Sequence, residues 1–242
     1  MHTLDELTFV GSNLRRPECV LATRSGHLYT ADGRGEVPVT YPDGSSRLLI
    51  PRAQKPRLKP NGIALMPDGT LLIAHLGDDS GGVFRLEGNG ELTPFLEEVE
   101  GIQLPATNFV GRDRDGRVWI TVSTRQKPRL AAARQAFGDG FIVLVDRSGA
   151  RIVADGLGYT NECVVDPSGS CLLVNETFAH RMSRFRIARD GVLRDRETVT
   201  EFGPGDFPDG LTFDDEGHVW VPCVVSNRLI RVAPDGRPAA LA

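Results

Sequence analysis

The chain has 242 residues, a formal net charge of −4 and 40% hydrophobic residues, which suits one soluble globular domain with a sizeable core. A general nucleic-acid-binding protein needs a basic footprint, which this acidic chain lacks. No apolar run approaches the ~18 residues that span a bilayer, and residues 1–13 show no secretory-signal pattern. The sequence predicts a cytoplasmic protein that binds neither nucleic acid nor membrane.

One pattern recurs five times along the chain. A residue with a side-chain oxygen opens an apolar run, and a turn glycine follows eight positions later. The five openers are Glu18, Asn61, Asn108, Asn161 and Asp209. Each segment is typical of a strand, a tight turn and a second strand, and the openers lie 43 to 53 residues apart. A period of this length built from short strands predicts a β-propeller.

The repeats divide the chain into five four-stranded blades within a single all-β domain, residues 1–242. The predicted blades are 18–50, 61–98, 108–155, 161–202 and 209–242. Residues 7–10, LTFV, predict a further short strand before the first blade. Residues 128–138, PRLAAARQAFG, are alanine-rich and predict a helix that ends at Gly138.

The first strand of a propeller blade lines the central channel, so the five openers are expected to converge near the axis. Two carboxylates and three amides form an oxygen-only ligand set, which suits calcium or magnesium. If each hairpin turns about seven residues after its opener, the opener faces the residue fourteen positions later. Those facing residues are Asp32, His75, Val122, Asn175 and Cys223.

Basic residues cluster in two segments that are expected on the same side as the openers. They are Arg52, Lys55, Arg57 and Lys59 in one connector, and Arg125, Lys127, Arg129 and Arg134 in the blade-three insertion. One interpretation is attraction of an anionic small-molecule substrate, and the other is an ordinary solvated surface. The four cysteines show no C-x-x-C spacing, which favours buried free thiols over a Cys163–Cys171 bridge.

The openers and their neighbours resemble the regucalcin/gluconolactonase (senescence marker protein, LRE) family of calcium-dependent hydrolases, which includes squid-type diisopropylfluorophosphatase. The matching motifs are P-E-C-V at Glu18, T-N-F at Asn108, T-N-E-C at Asn161 and P-D-G-L at Asp209. The resemblance covers residues 17–238 and implies a six-bladed propeller with one axial cation. It implies that these four residues bind calcium, with zinc, magnesium and manganese as alternatives.

Three further residues are candidates for substrate binding. Asn61 is expected to contact metal-bound water or substrate, although Asn61-Gly62 is also ordinary turn chemistry. His75 is a candidate base because its usual pKa is near neutral, with a structural histidine as the alternative. Glu162 either binds substrate or points between blades.

The sequence departs from the family pattern at several places. Phe109 and Glu162 follow the two asparagines where the family often has aspartate and glycine, and Ala106 replaces an arginine common in sugar lactonases. Five repeats are visible where the resemblance implies six. Either the sixth blade is missing or truncated, or five blades close by themselves.

The resemblance implies a metal-dependent hydrolase of a lactone or related ester, gluconolactonase-like in type. Asp209 would activate water or attack the carbonyl itself, Glu18 would neutralise the cation, and Asn108 and Asn161 would orient ligand and substrate. One alternative is a phosphotriesterase or fluorophosphatase on the same metal site. Another is a non-catalytic ligand-binding propeller with a structural metal. The oligomeric state is left open.

Overall fold

The computed structural model of the chain describes residues 8–52, 56–134 and 138–240. Its strands form five antiparallel blades arranged as a β-propeller, with each blade ordered from its innermost to its outermost strand along the chain. This confirms the all-β architecture and the five repeats. No helix within the described ranges has both the length and the apolar character of a membrane span.

Blades one to three cover the first part of the propeller. Blade one contains β1 (Val20–Ala22), β2 (Leu28–Thr30), β3 (Val37–Thr40) and β4 (Ser46–Leu49). Blade two contains β5 (Pro60–Leu65), β6 (Leu71–His75), β7 (Val83–Leu86) and β8 (Leu92–Leu96). A short hairpin follows, β9 (Glu98–Val99) and β10 (Ile102–Gln103). Blade three contains β11 (Thr107–Arg112), β12 (Val118–Val122), β13 (Gly140–Asp146) and β14 (Gly149–Leu157).

Blades four and five complete the described fold. Blade four contains β15 (Thr160–Val165), β16 (Cys171–Glu176), β17 (Arg181–Ile187) and β18 (Leu193–Glu201). In blade five the innermost strand is split into β19 (Asp206–Pro208) and β20 (Thr212–Phe213), both paired with β21 (Val219–Val225). The outer strands of this blade are β22 (Arg228–Val232) and β23 (Pro238–Ala240).

The hairpin turns form because each has a glycine in the left-handed region of backbone space. The predicted turn glycines have φ between 79° and 85°, and they are Gly26, Gly69, Gly116, Gly169 and Gly217. Such angles cost glycine nothing but strain other residues. In four of the turns an aspartate further fixes the loop by accepting a backbone N–H two or four residues on, at Asp68, Asp113, Asp166 and Asp214.

Apolar side chains from neighbouring blades form the core. Phe84 and Ile73 pack with Ala31 between blades one and two, while Trp119 packs with Phe185 between blades three and four. Two further clusters lie between blades two and three and between blades four and five. Burial of these faces between blades stabilises the propeller through the hydrophobic effect.

The structure departs from the predicted local structure in three places. Residues 8–10 form no strand, and the side chain of Phe9 is fully exposed; residue 7 lies outside the described ranges. The predicted helix is a 3-10 helix, Arg129–Arg134, whose first turn closes with a bond from the Ala131 N–H to the Pro128 oxygen, three residues back. Residues 135–137 lie outside the description. The β9–β10 hairpin was not predicted; its two-residue turn has Glu100 at φ 50° and Gly101 at φ 78°, so Gly101 is the turn signal in its sequence.

The predicted pairing of each opener holds in part. Strand β1 pairs Val20 with Thr30, but this register does not continue to Glu18, because the Ala31 N–H donates to the Cys19 oxygen while the Ala31 oxygen accepts from the Glu18 N–H. In blades two, three and five, the residue predicted to face the opener instead faces the residue before it. His75 faces Pro60, Val122 faces Thr107 and Cys223 faces Pro208. The reason is a register shift of one residue at the opener of each of these hairpins. All four cysteines are free; Cys19, Cys163 and Cys223 are buried as predicted, and Cys171 is partly exposed.

Candidate functional site

The openers lie where the inner hairpins are irregular. The register shifts of blades two, three and four fall at Asn61, Asn108 and Asn161, and Asp209 lies between the two halves of the split strand of blade five. An extra residue in one strand bends it and changes the direction of its side chain. At these bulges the opener side chains therefore do not follow the regular alternation between the two faces of the strand.

Openers from neighbouring blades contact one another directly. The Asn61 amide nitrogen donates to the backbone oxygen of Asn108 at 2.9 Å and lies 3.3 Å from its side-chain oxygen. The Asn161 amide nitrogen donates to Asp209 Oδ1 at 2.6 Å. Asn61, Asn108 and Asn161 are buried, and Glu18 and Asp209 are partly exposed. The structure thus brings four openers together in two pairs, from blades two and three and from blades four and five.

Glu18 joins this group through electrostatics and through an arginine that sequence reasoning missed. Nη2 of Arg16 lies 2.9 Å from Glu18 Oε1 and donates to Asn61 Oδ1 at 2.9 Å. Burial raises the pKa of Glu18; Arg16 opposes this shift and Asp209 adds to it. Burial also raises the pKa of Asp209, against the hydrogen bond from Asn161. Two carboxyl groups from blades one and five therefore interact in one partly buried space.

Glu162 adds a third carboxyl group to the same space. Burial, together with the Asp209 and Glu18 carboxylates, raises the pKa of Glu162 to about 8. Gly210 leaves the room that this side chain needs, because a Cβ there would lie 3.0 Å from Glu162 Oε2. Glu162 therefore points toward blade five, close to the openers, and is able to contact a molecule bound there.

Residues of blade four hold Asn161 and Asp209 in place. Thr177 Oγ1 accepts from the Asn161 amide at 2.9 Å and donates to the Pro208 oxygen at 2.9 Å. Asn175 Nδ2 donates to the backbone oxygens of Asp209 and Gly210 at 3.0 and 2.9 Å. The end of β16 thereby fixes the backbone of blade five on both sides of Asp209.

His75 is not brought to the openers. Its Nδ1 accepts the Lys59 backbone N–H at 2.9 Å, and its ring meets Phe84 edge-on. It lines a separate cavity of about 210 Å³ with Ser80, Glu97 and Gln103 among others. Burial and the Lys59 charge lower the pKa of His75, so its ring is neutral at neutral pH. These contacts resemble those of a structural histidine.

The basic residues of the two segments divide into several groups. Arg129 of the blade-three insertion acts electrostatically on Glu18, so this part of the insertion lies beside the openers as expected. Arg125 instead pairs with Asp155 at 2.8 Å, and Lys59 with Asp78 at 2.5 Å. Lys55 and the side chain of Arg134 lie outside the described part of the chain.

The donor set at the axis fits a hard divalent cation. Glu18, Asn108, Asn161 and Asp209 offer only oxygen as ligand atoms, and the carboxyl groups among them disfavour ionisation together. Among the described residues, the acidic and histidine side chains whose potential ligand atoms lie within 4.8 Å of one another are instead those of the blade-five turn, Asp214, Glu216 and His218. Arg231 already pairs with both acids of that turn, which compensates their charge.

Sequence comparison identifies relatives that match part of this chain. A 6-deoxy-6-sulfogluconolactonase from Pseudomonas putida is 26% identical over 160 residues, which cover 64% of this chain and 52% of that protein. The STRICTOSIDINE SYNTHASE-LIKE 7 protein of Arabidopsis thaliana is 25% identical over 67% of this chain and 43% of its own length. The chain thus matches about half of the length of these relatives.

Solved structures share the fold. A gluconolactonase from Xanthomonas campestris superimposes with a TM-score of 0.76 at 21% identity, covering 94% of this chain and 76% of its own. A calcium-binding regucalcin from Agrobacterium tumefaciens gives 0.74 at 22% identity, covering 95% and 74%. The family model described as SMP-30/Gluconolactonase/LRE-like region matches residues 17–240. The chain therefore belongs to the SMP-30/gluconolactonase/LRE-like family.

Proposed function

We propose that this protein is a calcium-dependent lactonase, with the cation held by Glu18, Asn108, Asn161 and Asp209. The observation that supports the proposal is the 2.6 Å contact between Asn161 and Asp209, which brings an amide of blade four against a carboxyl group of blade five. The names of the P. putida relative and the X. campestris structure support a lactone as substrate. The name of the A. tumefaciens regucalcin supports calcium as the cation.

When bound, a divalent cation polarises the ester carbonyl and stabilises the developing oxyanion. Asp209 has the chemistry of the catalytic group, because its carboxylate accepts a proton from the attacking water or attacks the carbonyl directly. The contacts from Asn161 and Asn175 hold that carboxylate and its backbone in one orientation. Restricting the catalytic group in this way lowers the entropic cost of reaching the transition state.

The remaining residues of the proposed site bind rather than react. Glu18 neutralises positive charge, and Asn61 and Glu162 contact the substrate at the edge of the metal site. His75 has no role in this proposal, because its ring contacts Lys59 and Phe84 in a separate cavity. The amide of Asn161 would have to present its oxygen to a cation, and its nitrogen now faces Asp209.

The test is hydrolysis of a panel of lactones by protein stripped of metal and then titrated with calcium. We expect calcium-dependent lactone hydrolysis, and a loss of at least about a hundredfold in kcat for Asp209→Asn, the usual effect of removing a general base. Asp215→Asn is the matched control, because Asp215 is an exposed residue of the blade-five turn. Hydrolysis of organophosphates but not lactones would move the function to phosphotriester cleavage. Calcium binding without turnover of either class would make the propeller a binding protein.

A further inference from the structure

Arg16 occupies an unusual place for a charged residue outside the repeats. Its guanidinium bridges Glu18 and Asn61, each at 2.9 Å, and it acts electrostatically on Asp209. Its side chain is nevertheless 44% exposed. Arg16 therefore reaches the proposed metal ligands from outside and stays accessible to a molecule that approaches them.

The backbone around Arg16 is held in a conformation that costs energy. Arg16 has φ 47°, in the left-handed region that residues with a side chain rarely adopt. The Arg15 N–H donates to Asp32 Oδ2 at 2.8 Å, and the Gly33 N–H donates to the Arg15 oxygen at 2.8 Å. A Cβ on Gly33 would lie 3.1 Å from Arg16 Cβ, so the two residues fit closely. Blade one thus fixes the direction of this arginine in advance.

Arg129 approaches the same rim from blade three. It acts electrostatically on Glu18, and its Nη1 donates to the Tyr159 hydroxyl at 2.8 Å. Its Nε is buried without a hydrogen-bond partner in the described structure, and the nearest acid, Asp78, is 3.8 Å away. Asp78 is already paired with Lys59 at 2.5 Å. The Arg129 charge is therefore only weakly compensated.

The charges at this rim favour an anion once a divalent cation is bound. The acids are Glu18, Glu162 and Asp209, which carry at most three negative charges. A dication and the two guanidinium groups bring four positive charges to the same region. The excess is positive even with every acid ionised, and the fork of a guanidinium matches the paired oxygens of an anionic group.

We propose that Arg16 and Arg129 bind an anionic substituent of the lactone substrate, a carboxylate, sulfonate or phosphate, and thereby determine specificity. This inference rests on the proposed lactonase function and gives its substrate class. The direct contacts of Arg16 are with Glu18 and Asn61, and its effect on Asp209 is electrostatic, so Arg16 is placed to bind the substrate and takes no part in the reaction itself. Arg16 is therefore a specificity residue.

The kinetic test compares glucono-1,5-lactone with 6-phosphoglucono-1,5-lactone at saturating calcium. For Arg16→Gln we expect KM for the phosphorylated lactone to rise about tenfold or more, the usual effect of losing a charged hydrogen bond. Because Arg16 also contacts Glu18 and Asn61, the decisive quantity is the ratio of kcat/KM for the phosphorylated lactone to kcat/KM for the neutral lactone, which should fall about tenfold in Arg16→Gln. Arg16→Lys keeps the charge but not the forked guanidinium, so its KM for the phosphorylated lactone should lie between the values of wild type and Arg16→Gln. An equal loss on both lactones would overturn the specificity role.

A binding test is independent of turnover. Calorimetry with calcium-loaded protein measures 6-phosphogluconate against gluconate, and Arg16→Gln should remove the preference for the phosphorylated acid. Arg15→Gln is the matched control, because it removes an adjacent exposed arginine while its backbone bonds to blade one remain. Unchanged affinity in Arg16→Gln, or an equal loss in Arg15→Gln, would overturn the inference. A preference lost in Arg16→Gln alone would support it even if the wild type hydrolyses no lactone, which would count against the lactonase function only.

Discussion

Glu176 is a fully buried carboxylate at the end of β16, next to the threonine that holds Asn161. It accepts hydrogen bonds from Arg181 at 2.9 Å, Arg196 at 2.6 Å and the Gly158 N–H at 2.6 Å. Burial alone would raise the pKa of Glu176, but these hydrogen bonds outweigh it and hold the pKa at about 2. The ionised form is therefore strongly favoured in the folded protein.

We expect Glu176→Gln to lower the free energy of unfolding at pH 7 by about 3 kcal/mol, in line with the pKa difference from an unfolded glutamate. The folded pKa is depressed, so this stabilisation is complete well above the unfolded pKa of about 4.5 and is lost as pH falls toward 2. The difference in the free energy of unfolding between wild type and variant should fall to less than about half of its pH 7 value by pH 3. Urea denaturation at several pH values measures it.

Glu197→Gln is the control for this prediction. Glu197 also pairs with an arginine, Arg184, at 2.6 Å, but both side chains are largely exposed. An exposed pair contributes only about 0–1 kcal/mol because water and salt screen it. Equal destabilisation by the two substitutions would show that burial of Glu176 is not the cause.

At the level of residues, the repeat pattern predicts the openers of the candidate site but not the residues that support them. Glu18, Asn108, Asn161 and Asp209 were visible because each opens a repeat. Arg16 precedes the first repeat, and its position depends on bonds between Arg15 and blade one that no local pattern records. Only the contacts across the fold identify such residues.

At the level of elements, the inner strands β5 and β11 approach each other unusually closely at Gly62. The sequence Asn61-Gly62 is a common turn signal, yet both residues lie within β5. A Cβ on Gly62 would lie 2.5 Å from the Cα of Phe109 and 2.7 Å from the nitrogen of Val110. Glycine is needed here to let two backbones meet, and the turn interpretation of this dipeptide was wrong.

We therefore expect Gly62→Ala to destabilise the fold by about 3 kcal/mol or more, because the clashing atoms belong to the backbone of a neighbouring blade and cannot move aside cheaply. The midpoint of urea unfolding measures this effect. Gly88→Ala is the matched control, since no atom lies within 4 Å of a Cβ there. A Gly62→Ala protein as stable as the Gly88→Ala protein would contradict the close approach.

The blades could be predicted because each carries its own turn glycine and its own apolar alternation. The bulges could not be predicted, because a shift of one residue depends on how a strand meets the next blade. Asn108 illustrates this: its hairpin keeps the predicted register from Phe109 to Arg112 and changes it at the opener. The pattern therefore gave the correct blades and incorrect partners for the openers of blades one, two, three and five.

For the whole molecule, the main consequence is that acids from three blades interact electrostatically, and in the described ranges no basic residue forms an ion pair with more than one of them. Glu18 comes from blade one, Glu162 from blade four and Asp209 from blade five; Asp209 raises the pKa of Glu18, and both of these acids raise the pKa of Glu162. Arg16 compensates only part of this charge. A cation bound by the proposed ligands would therefore join separate blades and stabilise the propeller.

We expect calcium to raise the thermal midpoint. At a free concentration about 100 times its dissociation constant, a ligand of the folded state adds about 2.7 kcal/mol, or roughly 5–10 °C for a domain of this size. Differential scanning calorimetry with calcium and then with chelator measures the shift, which Glu18→Gln should largely remove. Glu216→Gln is the matched control, because Glu216 belongs to the acidic turn of blade five. If Glu216→Gln abolishes the shift and Glu18→Gln preserves it, calcium binds at that turn, and the axial site is wrong.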